Sequence, residues 1–161
     1  MVLVFSFLSC NGALDPSHDS LNTYYSTSFE DENDLNGWEG ILLAQLRNDA
    51  PPGYGDKSVL ISGGCIIPHA SLKLPPPGSI LKVRVELYAK LLLNSGFCEL
   101  YMGNDHHHSQ FVSIKDTSWA YYRFDKAIIW PADSTMTINL NSGGFIAGAM
   151  LVDGLRVKIV D

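Results

Sequence analysis

Leu81-Lys82-Val83-Arg84-Val85-Glu86-Leu87-Tyr88-Ala89-Lys90-Leu91 is the stretch that decides the fold. Aliphatic residues hold the odd positions, and charged residues or tyrosine hold the even ones. A strand sends successive side chains to opposite faces, so a period of two over this length reads as one long strand. One face is aliphatic and must be buried. The other is charged and solvated, which fits an antiparallel sandwich better than a parallel sheet covered on both sides.

The same logic extends along the chain. Residues 23–30 are β-prone and break at Asp31-Glu32-Asn33-Asp34. Residues 58–62 follow Pro51-Pro52-Gly53-Tyr54-Gly55 and end at Gly63-Gly64. Residues 97–102 alternate and stop at Gly103-Asn104-Asp105. Residues 119–129 carry aromatics and stop at Pro131. Residues 134–140 set Met136, Ile138 and Leu140 inward against Thr135, Thr137 and Asn139, and residues 148–160 close the chain. Residues 40–47 read as either a strand or one to two helical turns. Pro75-Pro76-Pro77-Gly78 is a turn, because proline cannot donate inside a sheet. About eight short strands parted by Gly, Pro and Asn turns predict an all-β fold, a two-sheet antiparallel β-sandwich, with a closed barrel as the alternative.

The 161 residues suit one domain, placed here at residues 23–161. Apolar residues make up 46%, charged residues 17%, and the net charge is −6. No basic cluster is present, which argues against nucleic acid as a partner. No apolar run reaches the roughly 18 residues of a membrane-spanning helix.

Residues 1–8 (Met-Val-Leu-Val-Phe-Ser-Phe-Leu) form an apolar stretch of secretory-signal character. Phe7-Leu8-Ser9-Cys10 resembles the lipobox of bacterial lipoproteins, which implies lipidation at Cys10 and export as a cell-envelope lipoprotein or extracellular protein. No Lys or Arg precedes the run, and an ordinary first strand with a buried cysteine is the competing reading. Residues 11–22 are polar, rich in turn formers, and read as a tether. Any membrane contact would then run through the lipid anchor. Cys65 and Cys98 could pair in an exported protein, or remain buried thiols among their apolar neighbours.

Taken in order, these signals resemble the galactose-binding-like jelly roll of bacterial carbohydrate-binding modules. The match rests on Ser28-Phe29-Glu30 with Gly37-Trp38, the glycine-rich loop 53–57 before 58–61, and the long strand after Gly78. It continues with Trp119, Tyr122 and Phe124, and with Asp153 ahead of Leu155, Val157 and Ile159. The resemblance implies a jelly-roll β-sandwich over residues 23–161 whose first and last strands lie side by side. It also implies a structural calcium held by Glu30 and Asp153. Calcium takes six to eight hard oxygen ligands, and strand-edge carbonyls can complete such a shell. Gly154 stands where such modules commonly carry a second acid, which lowers the ligand charge.

The implied partner is a polysaccharide or oligosaccharide, bound without catalysis. All three tryptophans are sugar-stacking candidates; the resemblance implies core positions for Trp38 and Trp119, and Trp130, at a strand end where it would sit at a loop mouth or cap the core, ranks first. Outward-facing Glu86 and Tyr88, Glu99 and Tyr101, and Tyr121 and Arg123 would form one patch if their strands were neighbours. Asn104-Asp105-His106-His107-His108 reads as an exposed polar turn or a ligand-contacting loop rather than a metal site, since successive strand side chains diverge. No Gly-x-Ser-x-Gly, Walker loop or His-Glu-x-x-His is present, and the protein is expected not to be an enzyme. A cell-envelope adhesion or assembly subunit holding a protein partner is the second reading, and a glycoside hydrolase the third.

Overall fold

The computed structural model describes residues 23–40, 44–63, 69–75, 80–102, 105–129, 135–143 and 146–160. Trp130, Cys10 and Cys65 lie outside these residues. The strands run in order as β1 (Thr23–Thr27), β2 (Trp38–Glu39), β3 (Ala44–Arg47), β4 (Ser58–Gly63), β5 (His69–Leu74) and β6 (Ile80–Leu93). They continue as β7 (Gly96–Met102), β8 (Asp105–Ile114), β9 (Ala120–Ile129), β10 (Met136–Ser142) and β11 (Gly148–Val160). One sheet has the order β3-β4-β11-β6-β9, with β1 also paired to β11. The second has the order β2-β5-β10-β7-β8. Every pairing is antiparallel. The expected two-sheet β-sandwich is therefore the observed fold.

The period-two stretch works as its pattern requires. Val83, Val85, Leu87 and Ala89 of β6 are fully buried. They face Leu100, Ile138 and Leu140 of the second sheet, which are also buried. From β4 onward the chain changes sheet at every connection except β7–β8. This crossing pattern sends sequence neighbours to opposite layers, which matters for the sites below.

β1 and β11 are neighbours, with Thr27 opposite Leu155. A cross-layer link also starts on β1, where Tyr25 OH accepts a 3.1 Å hydrogen bond from Trp38 Nε1 of the other sheet. Phe29 packs on the Trp38 ring at 5.8 Å between centroids. Trp38 is core, as expected. Tyr25→Phe leaves a shielded indole N–H unpaired and should cost about 1–2 kcal/mol, read from the urea midpoint at unchanged slope.

The structure decides one open reading and changes two expectations. Residues 44–47 are a strand that pairs with β4, not helix. His106, His107 and His108 lie in strand β8 rather than in a turn, at the point where its register with β7 shifts between Asp105 and Gln110. Trp119 is not core. It precedes β9 in phase with the outward Tyr121, half-buried, and its Nε1 donates to Asp49 at 2.9 Å while Lys90 lies over its ring at 5.4 Å. Cys98 is a buried free thiol.

Candidate functional site

Three places on the sandwich carry polar chemistry. The first is a fork in the six-stranded sheet. One edge of β11 pairs with β4 over Gly148 to Val152 and with β1 over Leu155 to Lys158. Between them the register slips at Asp153–Gly154, and Gly154 takes φ +55. A Cβ there would come within 3.1 Å of the Tyr54 ring, so both the bulge and the loop packing call for glycine.

The fork collects acids. Asp153 is fully buried. Its Oδ1 accepts from the Gly154 N–H at 2.6 Å, and its Oδ2 has no partner. Burial, with repulsion from Glu30 and Asp34, pushes its carboxyl up to about 7. Glu30 follows β1, and its carboxylate accepts from the N–H groups of Asp56 and Lys57 at 3.2 and 3.3 Å. Gly55, at φ +96, lies so close that an added Cβ would overlap Glu30 Oε1. Asp34 Oδ2 accepts from Glu30 N, and Asp31 caps the short 3-10 helix Glu32–Leu35. The acidic turn is thus largely engaged in local capping. Glu30 and Asp153 come to the same fork, as expected of neighbouring first and last strands. A buried, unpartnered carboxylate oxygen beside a second carboxylate suits a hard cation. Among the described residues no group of three Asp, Glu, His or Cys side chains is placed to hold a metal, so main-chain oxygens would have to supply the rest of a shell.

The second place is the outer face of the five-stranded sheet. Pairing sets Glu39, Ser71, Asn139, Glu99 and Phe111 in one row across it. Asn141 and Phe97 lie in the next row, and Thr137 and Tyr101 in the row on the other side. Outward side chains of a two-layer sandwich should be wet. Here Thr137, Asn139 and Asn141 are only 2–6% exposed. Oδ1 of both asparagines, and Ser142 Oγ, lack any hydrogen-bond partner. Phe97 and Phe111 meet edge to face at 6.3 Å, with Phe111 57% exposed. The central strand thus forms a shielded polar floor with an open aromatic on one wall.

The third place is the outer face of the six-stranded sheet. Glu86 pairs with Arg123, and Tyr88 with Tyr121. The expected single patch is therefore divided. Glu86, Tyr88, Tyr121 and Arg123 share this face, while Glu99 and Tyr101 lie on β7 in the other sheet, because the β6–β7 connection crosses between layers. Tyr101 is described in its backbone alone. Glu86 is buried and held by Lys158 at 2.8 Å, so it is committed within the fold and not free for a ligand.

Sequence reasoning missed Asn139 and Asn141 as candidates. The usable signal was on β10, whose outward positions carry only Thr137, Asn139 and Asn141, with no charged residue.

No protein-family model matches the sequence, and no curated protein does. The structure resembles several solved β-sandwiches. One is the CBM22-1 xylan-binding domain from Paenibacillus barcinonensis Xyn10C, at TM-score 0.60 and 16% identity, over 87% of this chain and 96% of that one. Another is a family 16 carbohydrate-binding module, at TM-score 0.57 and 14% identity, over 79% and 92%. A third is TmCBM61 in complex with β-1,4-galactotriose, at TM-score 0.53 and 12% identity, over 78% and 90%. At these identities the likeness establishes the fold alone, a jelly-roll β-sandwich.

Proposed function

We propose that the protein binds a neutral polysaccharide, without catalysis, on the outer face of its five-stranded sheet. The carrying observation is the pair of shielded, unpartnered amide oxygens of Asn139 and Asn141. A buried acceptor without a donor costs free energy, and sugar hydroxyls are donors of the right size to satisfy it. Phe111 offers an apolar ring for the apolar face of a pyranose, and Glu99 accepts further hydroxyls from the same row. The similar structures named for xylan and galactotriose binding support this ligand class.

The arrangement also favours binding over hydrolysis. Among the described residues the face carries the carboxylates of Glu99 and of Glu39, the latter ion-paired to Lys73 at 2.8 Å. Three strand spacings separate them, about 14 Å. Glycosidase pairs sit within roughly 10 Å of each other.

In the same reading, Glu30 and Asp153 hold a calcium ion that pins the fork, and the protein is exported by its N-terminal apolar stretch. Intact-mass measurement of membrane-extracted protein checks the anchor, with a diacylglyceryl-modified Cys10 as the expected product.

Affinity electrophoresis tests the sugar proposal. Migration should be retarded in gels containing xylan or galactan and unchanged in gels without polysaccharide. Equal mobility in every gel would refute it.

A further inference from the structure

The outer face of the six-stranded sheet holds seven of the protein's eleven lysines and arginines: Arg47 at its edge, bonded to Gln45 at 2.6 Å, and Lys82, Arg84, Lys90, Arg123, Arg156 and Lys158. On a chain of net charge −6 this is a marked segregation. Three acids of the face are already committed, and a fourth, Asp153, is fully buried at the fork. Asp125 is bound by Arg84 at 2.7 Å and Lys82 at 3.4 Å, Glu86 by Lys158 at 2.8 Å, and Asp49 by Lys90 at 2.5 Å. Arg123 and Arg156 are left without an ion pair among the described residues. Both lie in register with Glu86, one on each side, so their Cα atoms are about 10 Å apart across two strand spacings.

A row of aromatic rings runs beside them, one outward position along the strands. Tyr54 packs on Tyr88 with centroids 4.3 Å apart, and Tyr88 on Tyr121 at 5.4 Å. Tyr121 is 42% exposed, and Arg156 lies over the Tyr54 ring at 5.8 Å. Where the ladder ends, Arg156, Tyr54, Ser26 and Ser28 line a cavity of about 220 Å3. Asp34 is also on its wall, but Oδ2 of that carboxylate already accepts from the Glu30 and Asp31 N–H groups.

We propose that this face is a second binding site, for an anionic glycan. The tyrosine ladder stacks on its pyranose rings, while Arg123 and Arg156 pair with its carboxylate or sulfate groups. A planar guanidinium matches either anion through paired N–H donors. The ladder keeps the chain in line alongside the two charges, and one acidic group rests on Arg156 at the mouth of the cavity, away from Asp34. Burial holds Tyr88 and Tyr121 at about 12, so both stay neutral donors at any ordinary pH. The site is opposite the face proposed above and does not depend on it.

Isotope-edited NMR titration with trigalacturonate, a sulfated galacto-oligosaccharide and neutral xylotriose tests this. Trigalacturonate or the sulfated sugar should shift the amides of residues 84–88, 121–123 and 154–156, with affinity falling as salt rises. Arg123→Gln with Arg156→Gln should weaken that binding at least tenfold while the remaining spectrum stays folded. Asn139→Ala with Asn141→Ala should leave it unchanged. Binding of the carboxylated sugar alone or the sulfated sugar alone supports the site and identifies its anion. Absence of shifts from both, equal response to xylotriose on this face, or indifference to the arginine changes would overturn it.

Discussion

In chelator, at a pH above 7, Asp153→Asn should melt several degrees above the wild type, and millimolar calcium should close most of that gap. The native carboxyl is raised from 3.8 to about 7 by burial and by repulsion from Glu30 and Asp34. Between those two values the folded protein holds a proton that the unfolded chain has released. Stability therefore falls as pH rises from about 4 to about 7, and the full penalty, on the order of 4 kcal/mol, persists above. Asparagine cannot ionise and escapes it. Near pH 4 the two proteins should melt together. A domain of this size shifts by about 2–4 °C per kcal/mol, so the separation is readily measured. Calcium neutralises the buried charge in the wild type alone, contributing about 2.7 kcal/mol at a hundredfold excess over Kd. Glu30→Gln should blunt the calcium response as well. A variant that melts below the wild type in chelator would mean the carboxylate supports the fork unaided, and the cation would leave the account.

The second large effect concerns the opposite face. Asn139→Ala with Asn141→Ala should weaken polysaccharide binding by roughly 30- to 150-fold, about 2–3 kcal/mol for two shielded hydrogen bonds. The same change should leave thermal stability unchanged or slightly raised. It removes two desolvated amide oxygens that nothing in the folded chain satisfies. Asparagines that served the fold would show the opposite pattern, with lost stability and unaltered binding. The sign of the stability change therefore separates the two roles. At both the fork and the floor, oxygens that are buried without a partner carry the proposals.

Much of this architecture was legible in the chain. The alternation of residues 81–91 defined β6 and its buried face. The first and last strands were recognised as neighbours, which brought Glu30 to Asp153. What alternation cannot carry is the layer to which each strand belongs. β6 and β7 are joined through only Asn94 and Ser95, yet the chain crosses the sandwich there, and Asn94 takes φ +57 in the turn. Glu99 and Tyr101 therefore left the company of Tyr88 and Tyr121. Trp119 misled for a similar reason: in phase with Tyr121, it is outward, where Asp49 and Lys90 hold it. Asn139 reads from the sequence only as an outward position, and Asn141 carries no signal of its own, because recess depends on flanking strands, which a single strand's pattern does not encode.

The most direct measurement of the central claim is amide shift mapping with xylo-oligosaccharides and β-1,4-galacto-oligosaccharides on the folded protein. The account predicts that at least one of them moves resonances of Thr137 to Asn141, of Phe97 to Glu99 and of Phe111, and leaves the six-stranded sheet still. Silence from all of them, or shifts confined to the six-stranded sheet, would contradict it.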